Sequence, residues 1–218
     1  MSRRSLTLAL TGAILLAACG STGGSGTSSS APAPSSSSGT ALSGAITVFA
    51  ASSLMWAQAA TEEIEKPLAA APANQRAGAT VIKWKPADWT YDTLRKGTNN
   101  MVCFDKSGLP GQQAFSLECT TMGNLPRAAQ NMKFEAMGAQ KQAALDAAEK
   151  DGTRVKPEYG SVWFHLMGAS KEAARAHFTI AVPGATGASL SLPENGQKGG
   201  VWVMNPGTTT AHLMIPGE

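Results

Sequence analysis

The sequence lacks the short signatures that would assign it a reaction. It has no Gly-x-Ser-x-Gly elbow to present a nucleophilic serine, and no helical pair of histidines spaced to hold zinc. It has no Cys-x-x-Cys, and no histidine lies close to its internal cysteines. Its Lys and Arg residues are scattered, without a basic stripe or interleaved aromatics, which removes the electrostatic footprint of a nucleic-acid binder. The apolar run from Leu6 to Leu16 is too short to cross a bilayer as a permanent helix. Motif-defined hydrolases, helical zinc enzymes and nucleic-acid proteins are therefore not expected.

What the chain does have begins at its N-terminus. Arg3 and Arg4 precede the uncharged run Leu6 to Leu16, and small residues Ala17-Ala18 stand just before Cys19. That is the order of a secretory signal peptide. The stretch Leu16-Ala17-Ala18-Cys19 resembles the lipobox of bacterial lipoproteins, in which cleavage before the cysteine leaves it acylated. The resemblance implies a signal peptide over residues 1–18 and a lipid anchor on Cys19. Two or more acyl chains hold stably because each buried methylene contributes about 0.8 kcal/mol. Gly20 follows, where Asp would favour inner-membrane retention, so the expected address is the outer membrane, facing the periplasm. From Gly20 to Gly44 the chain is Ser, Gly, Thr, Ala, Pro and Leu without a charge. Such a segment buries too little apolar surface to offset its ordering entropy, and it reads as a tether spanning about 25–30 Å.

Three segments follow: the signal at 1–18, the lipidated cysteine and tether at 19–44, and one globular domain at 45–218. The formal charge of +3 includes Arg3 and Arg4; without them it is 3 − 2, about +1. Cys103 and Cys119 remain once Cys19 carries lipid. In an oxidising compartment the pair reads as a disulfide worth about 3 kcal/mol, the alternatives being two free thiols or half a metal site.

Helical spacing of Leu54, Ala57, Ala60, Ile64 and Leu68 predicts a helix to Ala71, kinked or ended at Pro67. Ala79 to Lys85 alternates as a strand. Tyr91 to Arg95 and Met101 to Phe104 are expected to form a hairpin around Gly97-Thr98-Asn99-Asn100. Asn124 as cap and Pro126 in the first turn open a helix running to Lys150, with Gly138 as a break and Asp151-Gly152 as its stop. Val162 to Met167, Phe178 to Val182, Val201 to Met204 and Ala211 to Ile215 read as strands. The expected class is α+β: a mainly antiparallel sheet, two or three packing helices, a single domain and one disulfide.

Two resemblances touch the domain. Residues 45–54 are similar to the first strand of periplasmic molybdate-binding proteins, where a serine such as Ser52 or Ser53 helps hold the oxyanion, but the likeness covers those ten residues alone. More broadly, Ala79-Thr80-Val81, Lys96-Gly97-Thr98-Asn99, Val102-Cys103, Phe115-Ser116-Leu117-Glu118-Cys119, Trp202-Val203-Met204-Asn205-Pro206-Gly207 and Ala211-His212-Leu213-Met214 resemble, in order, an uncharacterised family of exported bacterial proteins. That resemblance implies export and paired cysteines, and no reaction.

One candidate constellation stands out. His165-Leu166-Met167 and His212-Leu213-Met214 repeat a tripeptide, each within an expected strand. Alternation puts His165 with Met167, and His212 with Met214, on one face; on adjacent strands the four would suit copper. His212, at a loop–strand junction, is also a candidate general base oriented by Asp92, Asp105 or Glu118. Trp89 and Tyr91 form an exposed aromatic pair for a sugar or peptide. The functional expectation is a lipid-anchored envelope protein, attached to the membrane through Cys19, whose non-catalytic domain binds an envelope protein or small ligand. The alternative is a periplasmic copper-binding or hydrolytic domain centred on His212.

Overall fold

A computed structural model describes residues 58–215, all within one compact unit. Cys19, the tether, and the 45–54 stretch with Ser52 and Ser53 lie outside the described residues. Helix α1 covers residues 58–65 and passes at Pro67 into a 3-10 turn, Pro67–Ala70. Strands β1 (Thr80–Trp84), β2 (Tyr91–Arg95), β3 (Met101–Asp105) and β4 (Phe115–Thr121) follow. Helices α2 (Leu125–Glu135) and α3 (Lys141–Asp151) come next, then β5 (Val162–Gly168) and β6 (Arg175–Ala181). The short helix α4 (Gly187–Leu190) precedes β7 (Trp202–Met204) and β8 (His212–Ile215).

All eight strands join one sheet in the order β2-β1-β3-β4-β5-β6-β8-β7. Only β1 and β3 run parallel; every other neighbouring pair is antiparallel. The fold is α+β, as its residue pattern predicts.

The pairing of β2 with β3 is not as expected. β1 lies between them, so Gly97 to Asn100 is a crossing and not a hairpin turn. The crossing hugs the start of β1: Thr98 and Asn99 both donate backbone N–H to Gly78 O, at 2.7 and 3.0 Å. A Cβ on Gly97 would sit 2.2 Å from Gly78 O, so this glycine serves close approach.

The sheet is covered on both faces. Leu68 and Ala70 of the first 3-10 segment, with Ala71 just after it, pack on Val81, Cys103, Leu117 and Cys119. On the opposite face α2 sets Leu125, Ala128 and Met132 against Ile82, Val102, Phe104 and Trp163. Each such large apolar side chain contributes about 1.5–3 kcal/mol on full burial. Cys103 and Cys119 stand directly opposite each other on β3 and β4, joined as a disulfide.

The long expected helix is two helices. Gly138, at φ +56°, turns the chain between α2 and α3, and Lys141 reaches back 2.6 Å to Glu135 across the break. Gly152, at φ +76°, ends α3 in the left-handed conformation. Asn124 does not cap α2 with its side chain. It turns inward, fully buried, and donates to Thr120 Oγ1 at 2.8 Å and Ser161 Oγ at 2.9 Å, while accepting from Glu158 N at 2.8 Å. The residue thereby ties the end of β4 and the start of α2 to the entry of β5, fixing the helical layer over the sheet.

Candidate functional site

Register on the helix-facing side of the sheet determines the site. Phe104, Glu118, His165 and His177 are successive cross-strand neighbours on β3, β4, β5 and β6. Their side chains therefore share one face. Glu118 is deeply buried, its side chain 6 % exposed, and forms an ion pair with Lys106 just beyond β3. Its Oε2 also lies 3.1 Å from His165 Nδ1. That nitrogen makes no hydrogen bond, and it pairs with the Glu118 carboxylate by charge when the ring is protonated. The His165 and His177 rings stand 5.8 Å apart.

Burial alone pushes the Glu118 carboxyl up, but Lys106 and then His165 outweigh it and bring the carboxyl down to about 2. Glu118 is thus ionised inside the protein. Such a charge persists only with its partners in place.

Above this row opens a cleft of about 660 Å³, floored by Phe104, Glu118, His165 and Met167 and walled by α2, α3 and the 204–210 loop. Its size falls in the range of small-molecule sites, about 300–1,000 Å³. Arg154, just past α3, belongs to its lining. Deeper in, Arg127 of α2 donates to Val155 O, to Thr209 Oγ1 at 3.3 Å and to Thr210 Oγ1 at 2.8 Å. Glu149 accepts from Thr209 N at 3.1 Å and from both threonine hydroxyls. Among buried side-chain N and O atoms of the described residues, three lack a hydrogen-bond partner: Trp84 Nε1, Arg154 Nε and His165 Nδ1. The latter two belong to residues that line this cleft.

The structure places His165, Met167, His212 and Met214 on the same face of the sheet, but on strands that are not adjacent. β6 separates β5 from β8. Met167 stands opposite Arg175 near one end of β6, while Met214 stands opposite Thr179 and His212 opposite Ala181 toward the other. The residue brought beside His165 is His177. Among the described residues no group of three or more His, Cys, Asp or Glu could hold a metal ion.

His212 Nδ1 sits 2.7 Å from Thr210 O, so a backbone carbonyl orients its ring. The carboxylates considered as its partners are engaged elsewhere: Asp92 with Lys85, Asp105 with Lys66 and Glu118 with Lys106. Burial, with His165 and Arg127 nearby, lowers the His212 pKa below the usual imidazole value despite the Thr210 bond. Burial, His165 and His212 do the same to His177. Of the aromatic pair, Tyr91 is exposed and packs edge-on against the buried Trp84 at 5.6 Å; Trp89 is half-buried.

Lys106, His177, Glu149, Arg127 and Arg154 are absent from the sequence-based candidates. His177 falls one residue before the expected strand start at Phe178, whereas β6 begins at Arg175. Extending the alternation back two positions would have placed it in line with Thr179. No local signal marks Arg154, which follows a helix stop in a loop.

Comparison with protein-family models, with curated proteins and with solved structures finds no match in any of the three.

Proposed function

We propose that this chain is a lipid-anchored protein of the bacterial cell envelope whose folded part binds a small polar molecule, without catalysis, in the cleft between its sheet and helices. The observation that carries the binding reading is the cleft itself. It has the volume of a small-molecule site, and its lining combines the apolar Phe104, Met132 and Met167 with the polar Lys106, Glu118, His165 and Arg154. The anchoring reading rests on the lipobox resemblance at Cys19, with the tether from Gly20 to Gly44 holding the domain off an outer-membrane surface on the periplasmic side. Small molecules diffusing through that compartment would then reach the cleft.

Both parts are open to direct test. The full chain expressed in a bacterial host should partition into detergent on phase separation, and the Cys19→Ala variant should stay in the aqueous phase. For the cleft, Gln142 is an exposed residue of the lining, so Gln142→Trp narrows the space without touching the core. In a thermal-shift screen against polar metabolites, compounds that raise the melting temperature of the parent should lose that effect in Gln142→Trp. Hits of equal size in both proteins would place the binding elsewhere.

A further inference from the structure

The floor of the cleft carries two polar oxygens that the protein leaves open. Ser116 and Glu118 are alternate residues of β4, so their side chains share the helix-facing side of the sheet, and both line the cleft. Of the two Glu118 oxygens, Oε2 pairs with Lys106 and lies beside His165. Among the described residues no hydrogen-bond donor reaches Oε1. The Ser116 backbone is engaged on both sides: its N–H donates to Ser107 Oγ at 3.0 Å, and its carbonyl accepts from Lys106 N at 2.7 Å. Its hydroxyl has no partner among the described residues, although the residue is 1 % exposed. Neither oxygen is sealed in, for the enclosed side-chain atoms without a partner are Trp84 Nε1, Arg154 Nε and His165 Nδ1 alone among the described residues. Both oxygens therefore open onto the cleft.

The charges around them cancel. The lining sets Glu118, Glu135, Asp146 and Glu149 against Lys106, Lys141 and Arg154, and Arg127 deeper in supplies the fourth cation. Lys106 pairs with Glu118 and Lys141 with Glu135 at 2.6 Å, while Glu149 acts on both guanidiniums. An ionic ligand would shed its hydration on entering and find no unmatched charge in return. What remains for a ligand is neutral hydrogen bonding. Asn131 Oδ1 accepts from Arg154 Nη2 at 2.5 Å, and its Nδ2 has no acceptor among the described residues. Gln113 and Asn205 add exposed amides to the lining, and Phe104, Met132 and Met167 add apolar surface.

We infer that the cleft takes a neutral polyhydroxylated ligand, a sugar, with hydroxyls on Glu118 Oε1 and Ser116 Oγ and its carbon face against the apolar floor. This rests on the reading of the cleft as a small-molecule site and names the ligand class. A hydroxyl both donates and accepts, so one kind of group serves the carboxylate oxygen, the serine and the Asn131 amide. Its bond to the ionised Glu118 is charge-assisted and stronger than one between neutral groups. Lys106 already matches the Glu118 charge, so that oxygen takes a neutral donor without calling for a cation. An apolar ligand would cover both oxygens and serve neither.

The test is saturation-transfer NMR of the full chain in detergent. The neutral probes are glucose, galactose, xylose and N-acetylglucosamine; glucosamine and glucuronate are their charged counterparts. At least one neutral sugar should bind saturably and more tightly than either charged one. Ser116→Ala removes a hydroxyl that holds nothing in the protein, so it should keep the parent's melting temperature and weaken that sugar about fivefold, the worth of one hydrogen bond. Gln142→Trp should abolish the binding. Tighter binding of glucosamine or glucuronate would overturn the neutral assignment. Undiminished sugar binding in Ser116→Ala or in Gln142→Trp would overturn the placement. If screening compounds occupy the cleft and no sugar does, the small-molecule site stands and this ligand class falls. If nothing occupies the cleft, both fall.

Discussion

A Glu118→Gln variant is expected to unfold about 10 °C below the parent chain, from a loss of about 3–5 kcal/mol. The substitution keeps the shape of the side chain and removes its charge. Lys106, with its ammonium largely buried, then has no anion, and the desolvation of that charge is no longer offset. The double variant Lys106→Met with Glu118→Leu removes both charges and should recover most of the loss, because a buried pair often exchanges for apolar residues at little net change. Chemical denaturation of the three proteins at neutral pH measures this. If Glu118→Gln were within about 1 kcal/mol of the parent, the pair would be solvated like an ordinary surface salt bridge.

The pH profile separates this pair from the histidines. Glu118 has a folded pKa of about 2 against an ordinary 4.5, so its contribution is complete above pH 4.5 and is lost as pH falls toward 2. That loss amounts to about 3 kcal/mol. His177 and His212 have lowered folded values, so their burial favours the neutral ring; stability is highest above pH 6.5 and falls as acid protonates them in the unfolded state. The parent should therefore lose stability in two stages, below pH 6.5 and again below 4.5. Glu118→Gln should keep the first and show a smaller second.

Removing the disulfide is the other large effect. Cys103→Ala with Cys119→Ala should lower stability by about 3 kcal/mol, or about 8 °C in melting temperature. The bridge closes a segment of sequence separation 16, which restricts the unfolded chain. The cysteines are directly opposed on β3 and β4 and both are fully buried, so the folded protein should resist reduction and react with dithiothreitol only as it unfolds. Thiol labelling after incubation with reductant follows this. Rapid reduction well below the melting temperature would contradict that burial.

Much of this fold is legible from residue pattern because alternation and turn chemistry act locally. β1, β5 and the two central helices follow from Ile82 and Trp84 alternating with Lys83 and Lys85, from the run Val162 to Met167, and from Pro126 with the glycines at 138 and 152. β4 is not legible as a strand from its residues, for a physical reason. Ser116, Glu118 and Thr120 are polar on one face, and yet buried, because that face carries the ion pair and the hydrogen bonds beneath the helices. The order of strands escaped for a different reason. Gly97-Thr98-Asn99-Asn100 has the composition of a turn, and only the tertiary approach of Gly97 to Gly78 shows that the chain crosses the end of β1. The histidine–methionine repeat gave the correct face and could not give the neighbours, since it contains no information about β6 lying between β5 and β8. Arg154 needed the three-dimensional pairing most of all. A loop arginine is ordinarily a solvated charge, and here it is enclosed by Gln130, Asn131 and Phe134.

The most direct measurement is a crystallographic fragment soak of this domain with several hundred small polar compounds, in the parent and in Gln142→Trp. Small-molecule occupancy of the cleft predicts that bound fragments concentrate between Arg154, Asp146 and His165, and that they vanish from that place in the variant. Fragments gathered in the groove beside Trp84 and Trp89, or spread over the surface with the cleft empty, would contradict it.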